Sequence, residues 1–166
     1  MLNFFTQSGL RFLWITIVVL IVDQWSKHAV VDSMALYESI QLTGFFNLTY
    51  VHNYGAAFSF LHDAGGWQRW FFTAIAIGIS GLLLYWLKQA PIEQVRLPVA
   101  FTFILGGALG NVYDRLIHGY VIDFLDFYYQ QWHWPAFNVA DSAIFIGAAL
   151  LILDMFLTKG EDSGRD

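Results

Sequence analysis

The chain has 166 residues, 57% of them hydrophobic and 13% charged, and its mean hydropathy is +0.52. A soluble domain is about half apolar and about a quarter charged, so this composition reads as one integral membrane domain. A net charge of −5 without a basic run argues against a nucleic-acid partner, and the lack of cysteine excludes disulfides, a thiol nucleophile and thiolate metal sites.

Arg11 precedes the apolar run Phe12–Val22, and Asp23-Gln24-Trp25-Ser26-Lys27 follows it. A secretory leader would offer a small-residue cleavage site there, so no cleavage is expected. The first span is read over about 11–30. Asp23 and Lys27 lie one helical turn apart and can pair. Residues 31–66 form the longest extramembrane piece. Ile40–Tyr50 is rich in β-formers and predicts short strands. In Asn53-Tyr54-Gly55-Ala56-Ala57-Phe58, small residues around a turn allow close backbone approach, although an ordinary turn is the simpler account.

A second span is read over about 69–88. It contains Gly78-Ile79-Ser80-Gly81, a G-x-S-G pattern, but no histidine base is at hand for a serine nucleophile. Small residues for helix packing explain it better. A third span, about 97–115, carries Gly106 and Gly110 in a G-x-x-x-G pattern that permits close helix contact. Asn111, Asp114 and Arg115 lie at its end. An aromatic connection from Leu116 to Trp134 leads to Pro135 and a fourth span, about 136–157. The tail from Gly160 is polar and expected to be disordered.

Four spans put both termini and the second connection on one side. Arg11, Lys88, Arg96, Lys159 and Arg165 fall there, against Lys27, Arg69 and Arg115 opposite. The positive-inside rule then places both termini in the cytoplasm. At about 1.5 Å per residue, Asp23 and Asp141 both fall in the outer half of a core about 30 Å thick. Asp23, Lys27, Asn111, Asp114, Arg115, Asn138 and Asp141 should therefore meet at one level. Asp123, wrapped in Val121-Ile122-Asp123-Phe124-Leu125, should return to the membrane surface beside them.

Acids in an apolar span are costly and mark function by default. Two carboxylates brought together share a proton, so one can activate water while the other protonates a carbonyl. That hydrolytic reading requires neither metal nor serine. There is no HExxH pattern for zinc and no glycine-rich phosphate loop. An ion or proton transporter and a non-catalytic scaffold stay open on residues alone. The transporter is disfavoured because the acids sit at one level and no internal repeat is visible.

The blocks Asp23–Lys27, Asn53–Phe58, Gly106–Arg115, Val121–Phe124 and Phe137–Ser142 occur in the order and spacing of the lipoprotein signal peptidases, bacterial signal peptidase II. The chain resembles that family through nearly its whole length, departing slightly at Tyr54, where several relatives have threonine. The resemblance implies an inner-membrane bundle of four transmembrane helices. A small periplasmic β-cradle from residues 31–66 and an extramembrane loop or helix would complete it. It implies a cofactor-free aspartic endopeptidase, monomeric, acting on prolipoproteins before a diacylglyceryl-modified cysteine, with the lipid tails in the outer leaflet. The catalytic pair carried over is Asp123 and Asp141. Asn53, Asn111, Arg115 and Asn138 would hold the substrate backbone or orient the acids, and Gly107 would let the substrate pass close. Asp23, Lys27 and Asp114 would be structural, with Arg115 keeping Asp114 ionised. The 31–66 region and the Leu116–Trp134 connection are expected to clamp the signal peptide.

Overall fold

The structure is a computed structural model that describes residues 7–55 and 66–163, with side chains described to Leu157. Ala56, Ala57, Phe58, Gly65 and Arg165, on which expectations also fall, lie outside the described residues, as does the side chain of Lys159.

Among the described residues, four helices are long and apolar enough to cross a membrane. They are α1 (Leu13–Ser33, entered through a 3-10 turn at Gly9–Phe12), α2 (Trp67–Gln89), α3 (Arg96–Ile117) and α4 (Val139–Ser163). The backbone of α4 continues helical to Ser163, into the polar segment; no proline interrupts it. Helix α3 is the hub. It is the most buried of the four and packs against α1, α2 and α4, while α1 also meets α4.

The small residues of α3 make this possible. A β-carbon on Gly106 would lie 2.8 Å from the Val19 side chain, and one on Gly110 would lie 2.6 Å from Asp23 Oδ2. The G-x-x-x-G face is therefore seated on α1. Gly107 faces the other neighbour: a β-carbon there would lie 2.2 Å from the Ala140 carbonyl oxygen. Its close approach is to the backbone of α4. Among the described residues Gly78 and Gly81 meet nothing within 4 Å, whereas Ser80 of the same pattern is buried; α2 is seated through Thr73, Ser80, Leu83 and Leu87.

Helix α3 ends at Ile117 with His118 as its C-cap, and Gly119 follows with a φ of 88°, the left-handed residue that commonly closes a helix. The chain turns there into a four-stranded antiparallel sheet, β1 (Ser39–Thr43), β2 (Phe46–Asn53), β3 (Val121–Tyr129) and β4 (Trp132–His133), in that spatial order. Strand β3 pairs with β2 through Val51↔Asp123 and Asn53↔Val121. The two segments expected to clamp the signal peptide are thus hydrogen-bonded neighbours in one sheet. Along β3, alternate side chains take opposite faces. Ile122 and Phe124 enter a core with Val30, Met34 and Tyr50, which fastens the sheet to the end of α1. Val121 and Asp123 take the other face. Among the described residues, the connection after α3 contains strands and turns and no helix.

Candidate active site

Three helix ends and one strand converge on a buried polar cluster. Asp23, Lys27, Asp114 and Asn138 are fully buried, and Asp123 is 1% exposed. Lys27 Nζ lies 2.8 Å from Asp23 Oδ2 and 2.9 Å from Asp114 Oδ2, and it donates to Asn111 Oδ1 at 3.2 Å. The partner of Asp114 is therefore Lys27 on α1. Its neighbour Arg115 points elsewhere, because consecutive helical residues do not face each other. Arg115 donates through Nη2 to Gly55 O at 3.0 Å and through Nη1 to Asn111 O at 3.4 Å. Its buried Nε has no partner among the described residues, and its guanidinium lies 5.5 Å from the Phe72 ring centroid.

Asp141 is placed by the start of α4. Asn138 Oδ1 accepts from the Asp141 N–H at 2.9 Å, and Asp141 Oδ2 accepts from the Asn138 N–H at 3.2 Å. This is a reciprocal capping box, which satisfies two of the donors that a helix start leaves unpaired. A third, the Ala140 N–H, is met from α1 by Asp23 Oδ1 at 2.8 Å. Asp23 thus docks the helix that carries Asp141. The remaining oxygen of Asp141 accepts from Asn111 Nδ2 at 2.7 Å.

Asp123 reaches the same point from the sheet. Its Oδ1 accepts from Asn138 Nδ2 at 2.7 Å and its Oδ2 from Asn53 Nδ2 at 2.9 Å. Asn53 is itself fixed by the Gly55 N–H, which donates to its Oδ1 at 3.0 Å. Asn138 therefore bonds both acids, one through its side chain and one through its backbone. Burial, then the negative charge of Asp141, pushes the Asp123 carboxyl up to about 7, against the opposing hydrogen bonds of Asn53 and Asn138.

Asp126, the other acid of β3, lies on the opposite face. It accepts from Asn47, Thr49 and His133. Burial works against its charge, but these donors prevail and hold it below the usual carboxylate range. Among the described residues no three His, Cys, Asp or Glu side chains stand close enough to hold a metal ion.

A cavity of about 830 Å³ opens from this cluster. Asn53, Asn111, Arg115 and Asp141 line its polar end, and Val121, Phe137, Ile144 and Ala148 continue it along α4. A large apolar cleft with a few convergent polar groups is the usual form of a ligand site.

Residues 15–157 match the family model described as "Signal peptidase (SPase) II". The chain belongs to the signal peptidase II family. It is 69% identical over 169 residues to a lipoprotein signal peptidase of Alteromonas mediterranea, covering 100% of this chain and 93% of the relative. It is 65% identical over 159 residues to one of Pseudoalteromonas atlantica, covering 96% and 97%. Two solved structures titled as bacterial membrane enzymes, determined in meso at 2.3 and 1.9 Å, share the fold with TM-scores of 0.81 and 0.77. They are 33% and 32% identical to this chain, covering 91% and 90% of it and 90% and 96% of themselves. The family and the four helices apolar enough to span together imply a membrane protein of the bacterial inner membrane.

Gln24 was given no role by the sequence. Its Nε2 bonds Asp114 Oδ1 at 2.9 Å and Asp23 Oδ2 at 3.1 Å, joining the two acids that hold Lys27. Its signals are its place in the Asp23–Lys27 block and its polarity beside Asp23 at the end of an apolar run.

Proposed function

We propose that Asp123 and Asp141 are the catalytic pair with which this signal peptidase II hydrolyses prolipoproteins. The scissile bond is the one before the diacylglyceryl-modified cysteine. The observation that carries this reading is Asn138, which hydrogen-bonds one acid through its amide side chain and the other through its backbone N–H. Two carboxylates tied to one residue beside an apolar cleft suit a shared-proton mechanism.

Asp123 carries the shared proton, in keeping with its raised pKa. Asp141 is the base. It takes a proton from water, whose oxygen attacks the scissile carbonyl carbon. Asp123 protonates the carbonyl oxygen, giving a tetrahedral diol. In the collapse, Asp141 passes its proton to the cysteine nitrogen as the C–N bond breaks, and a diol hydroxyl returns a proton to Asp123. Water is consumed, and an acid and an amine leave. Asn53, Asn111 and Asn138 fix the acids. The unpaired Nε of Arg115 faces the substrate backbone.

The acyl chains occupy the cleft along α4. Their burial supplies about 0.8 kcal/mol per CH₂. The substrate is held in the outer leaflet, with the acids near the periplasmic face and both termini in the cytoplasm. The lysine and arginine distribution supports that orientation. The enzyme acts as a monomer, since one chain supplies every group the reaction uses.

The test is cleavage of a purified diacylglyceryl prolipoprotein in detergent by wild type, Asp123→Asn, Asp141→Asn and Asp114→Asn. The first two lose turnover and keep substrate binding. Asp114→Asn loses stability first. Turnover near wild type in Asp123→Asn would remove it from the pair.

A further inference from the structure

The β3–β4 hairpin has two unlike faces. Tyr129 pairs with Trp132 and Tyr128 with His133, and directly paired residues share a face. Alternation along the strands then puts Phe127, Tyr129, Trp132 and Trp134 on one face. The other holds Asp126, Tyr128 and His133. That second face is engaged by the sheet: His133 bonds Asp126, and the Tyr128 hydroxyl donates to Thr43 O at 3.0 Å. On the aromatic face the inner pair, Phe127 and Trp134, reaches the cleft, and the outer pair, Tyr129 and Trp132, is open. Tyr129 is 75% exposed and Trp132 66%, with Phe127 and Trp134 also exposed. From Phe127 to Ala140 the chain has no Asp, Glu, Lys or Arg.

From these observations we infer that the aromatic face of this hairpin is a membrane anchor, seated in the lipid interface beside α4. Three arguments favour lipid as the occupant. Phe127 and Trp134 of this face line one cleft with Phe145 and Ile146, which are exposed on α4, a helix apolar enough to span. Trp and Tyr are the residues that settle at a membrane–water boundary, with a ring in the apolar phase and a polar atom toward water. The polar face has its partners within the sheet, so immersing the aromatic face leaves no charge in lipid. Trp134 and Pro135 line the cleft. An anchored hairpin would therefore hold the cleft mouth at a fixed depth in the leaflet. The inference does not depend on which acids are catalytic.

The test uses the cysteine-free background. Single cysteines replace Tyr129, Trp132, Gln131 at the turn, and Ser39 at the far sheet edge. Each full-length variant carries a nitroxide and is reconstituted in phosphatidylethanolamine–phosphatidylglycerol vesicles. Labels at 129 and 132 should collide with oxygen in preference to a water-soluble nickel chelate, the label at 39 should do the reverse, and the label at 131 should fall between them. Labels at 129 and 132 that meet nickel as readily as the one at 39 overturn the proposal and leave the face for a peptide. If the cysteine variants fold poorly, Trp132→Phe serves. Brominated lipid should quench a smaller share of its tryptophan emission than of wild type, and an unchanged share overturns the anchor.

Discussion

Lys27 Nζ donates to Asn111 Oδ1 at 3.2 Å, and this bond decides which end of the Asn111 amide faces Asp141. An ammonium only donates, so it takes the amide oxygen. The Asn111 NH₂ is left for Asp141 Oδ1, 2.7 Å away. A lysine on α1 thereby orients a donor to an acid on α4 without touching it. The same ammonium is shared as counter-charge by Asp23 and Asp114, both fully buried. Lys27→Met should destabilise the protein by about 3–5 kcal/mol, because two buried carboxylates lose their counter-charge. Thermal unfolding in detergent measures the loss. Pairing Lys27→Met with Asp114→Asn should recover part of it, since one stranded charge is then removed.

Asp123 gives the protein a pH dependence of known sign. Its folded pKa of about 7 lies above the ordinary value of 3.8. The folded state holds the proton more tightly, so this stabilising contribution is complete below about 4. It is lost as pH rises toward 7. Wild-type stability should fall over that window, and the fall should flatten in Asp123→Asn. Activity should show an alkaline limb near pH 7 as the shared proton leaves. Melting temperature and kcat/KM against pH read the two effects separately.

Gly107→Ala should cost about 1–3 kcal/mol or more, because its new carbon would meet the Ala140 carbonyl at 2.2 Å and both atoms belong to packed helices. Gly81→Ala meets open space and should be neutral or slightly stabilising. Unfolding of the two variants side by side separates the glycine that seats α4 from one that faces outward.

Asp126→Asn is the control among the acids of the region. It should weaken the sheet by about 1.5–3 kcal/mol, since three donors lose a charged acceptor. Cleavage per folded molecule should persist. The depressed pKa means that this contribution is present above the ordinary carboxylate value and is lost as pH falls through the folded one.

Much of this arrangement was legible in the sequence, and the illegible parts share a cause. Hydropathy gave the four helices, because a span must be apolar along its length. Helical arithmetic brought Asp23, Lys27, Asn111 and Asp141 to one level. Periodicity cannot say which way each glycine faces: Gly107 faces α4, and Gly78 meets nothing among the described residues. Adjacency suggested Arg115 as the partner of Asp114, although neighbours on a helix diverge by about 100°. The sheet was hidden because β2 and β3 lie on either side of two spans, and no local pattern records that pairing. One signal was present and unread: Asn138-Val139-Ala140-Asp141 has the spacing of a capping box.

That capping box separates the two tasks of Asn138. Its Oδ1 caps α4 and its Nδ2 bonds Asp123. Asn138→Ser keeps a cap, because a serine oxygen accepts from the third residue of a helix as well as asparagine does. It removes the amide donor to Asp123. Asn138→Ala removes both. The serine variant should unfold within a few tenths of a kcal/mol of wild type if the cap dominates stability, whereas alanine should lose about 1 kcal/mol more. Both should lose turnover by about 10²-fold or more, the usual consequence of deleting one preorganised donor at a reacting centre. Serine that cleaves at the wild-type rate would show that the bond to Asp123 does not serve catalysis, and the bridge would then be a feature of the fold alone.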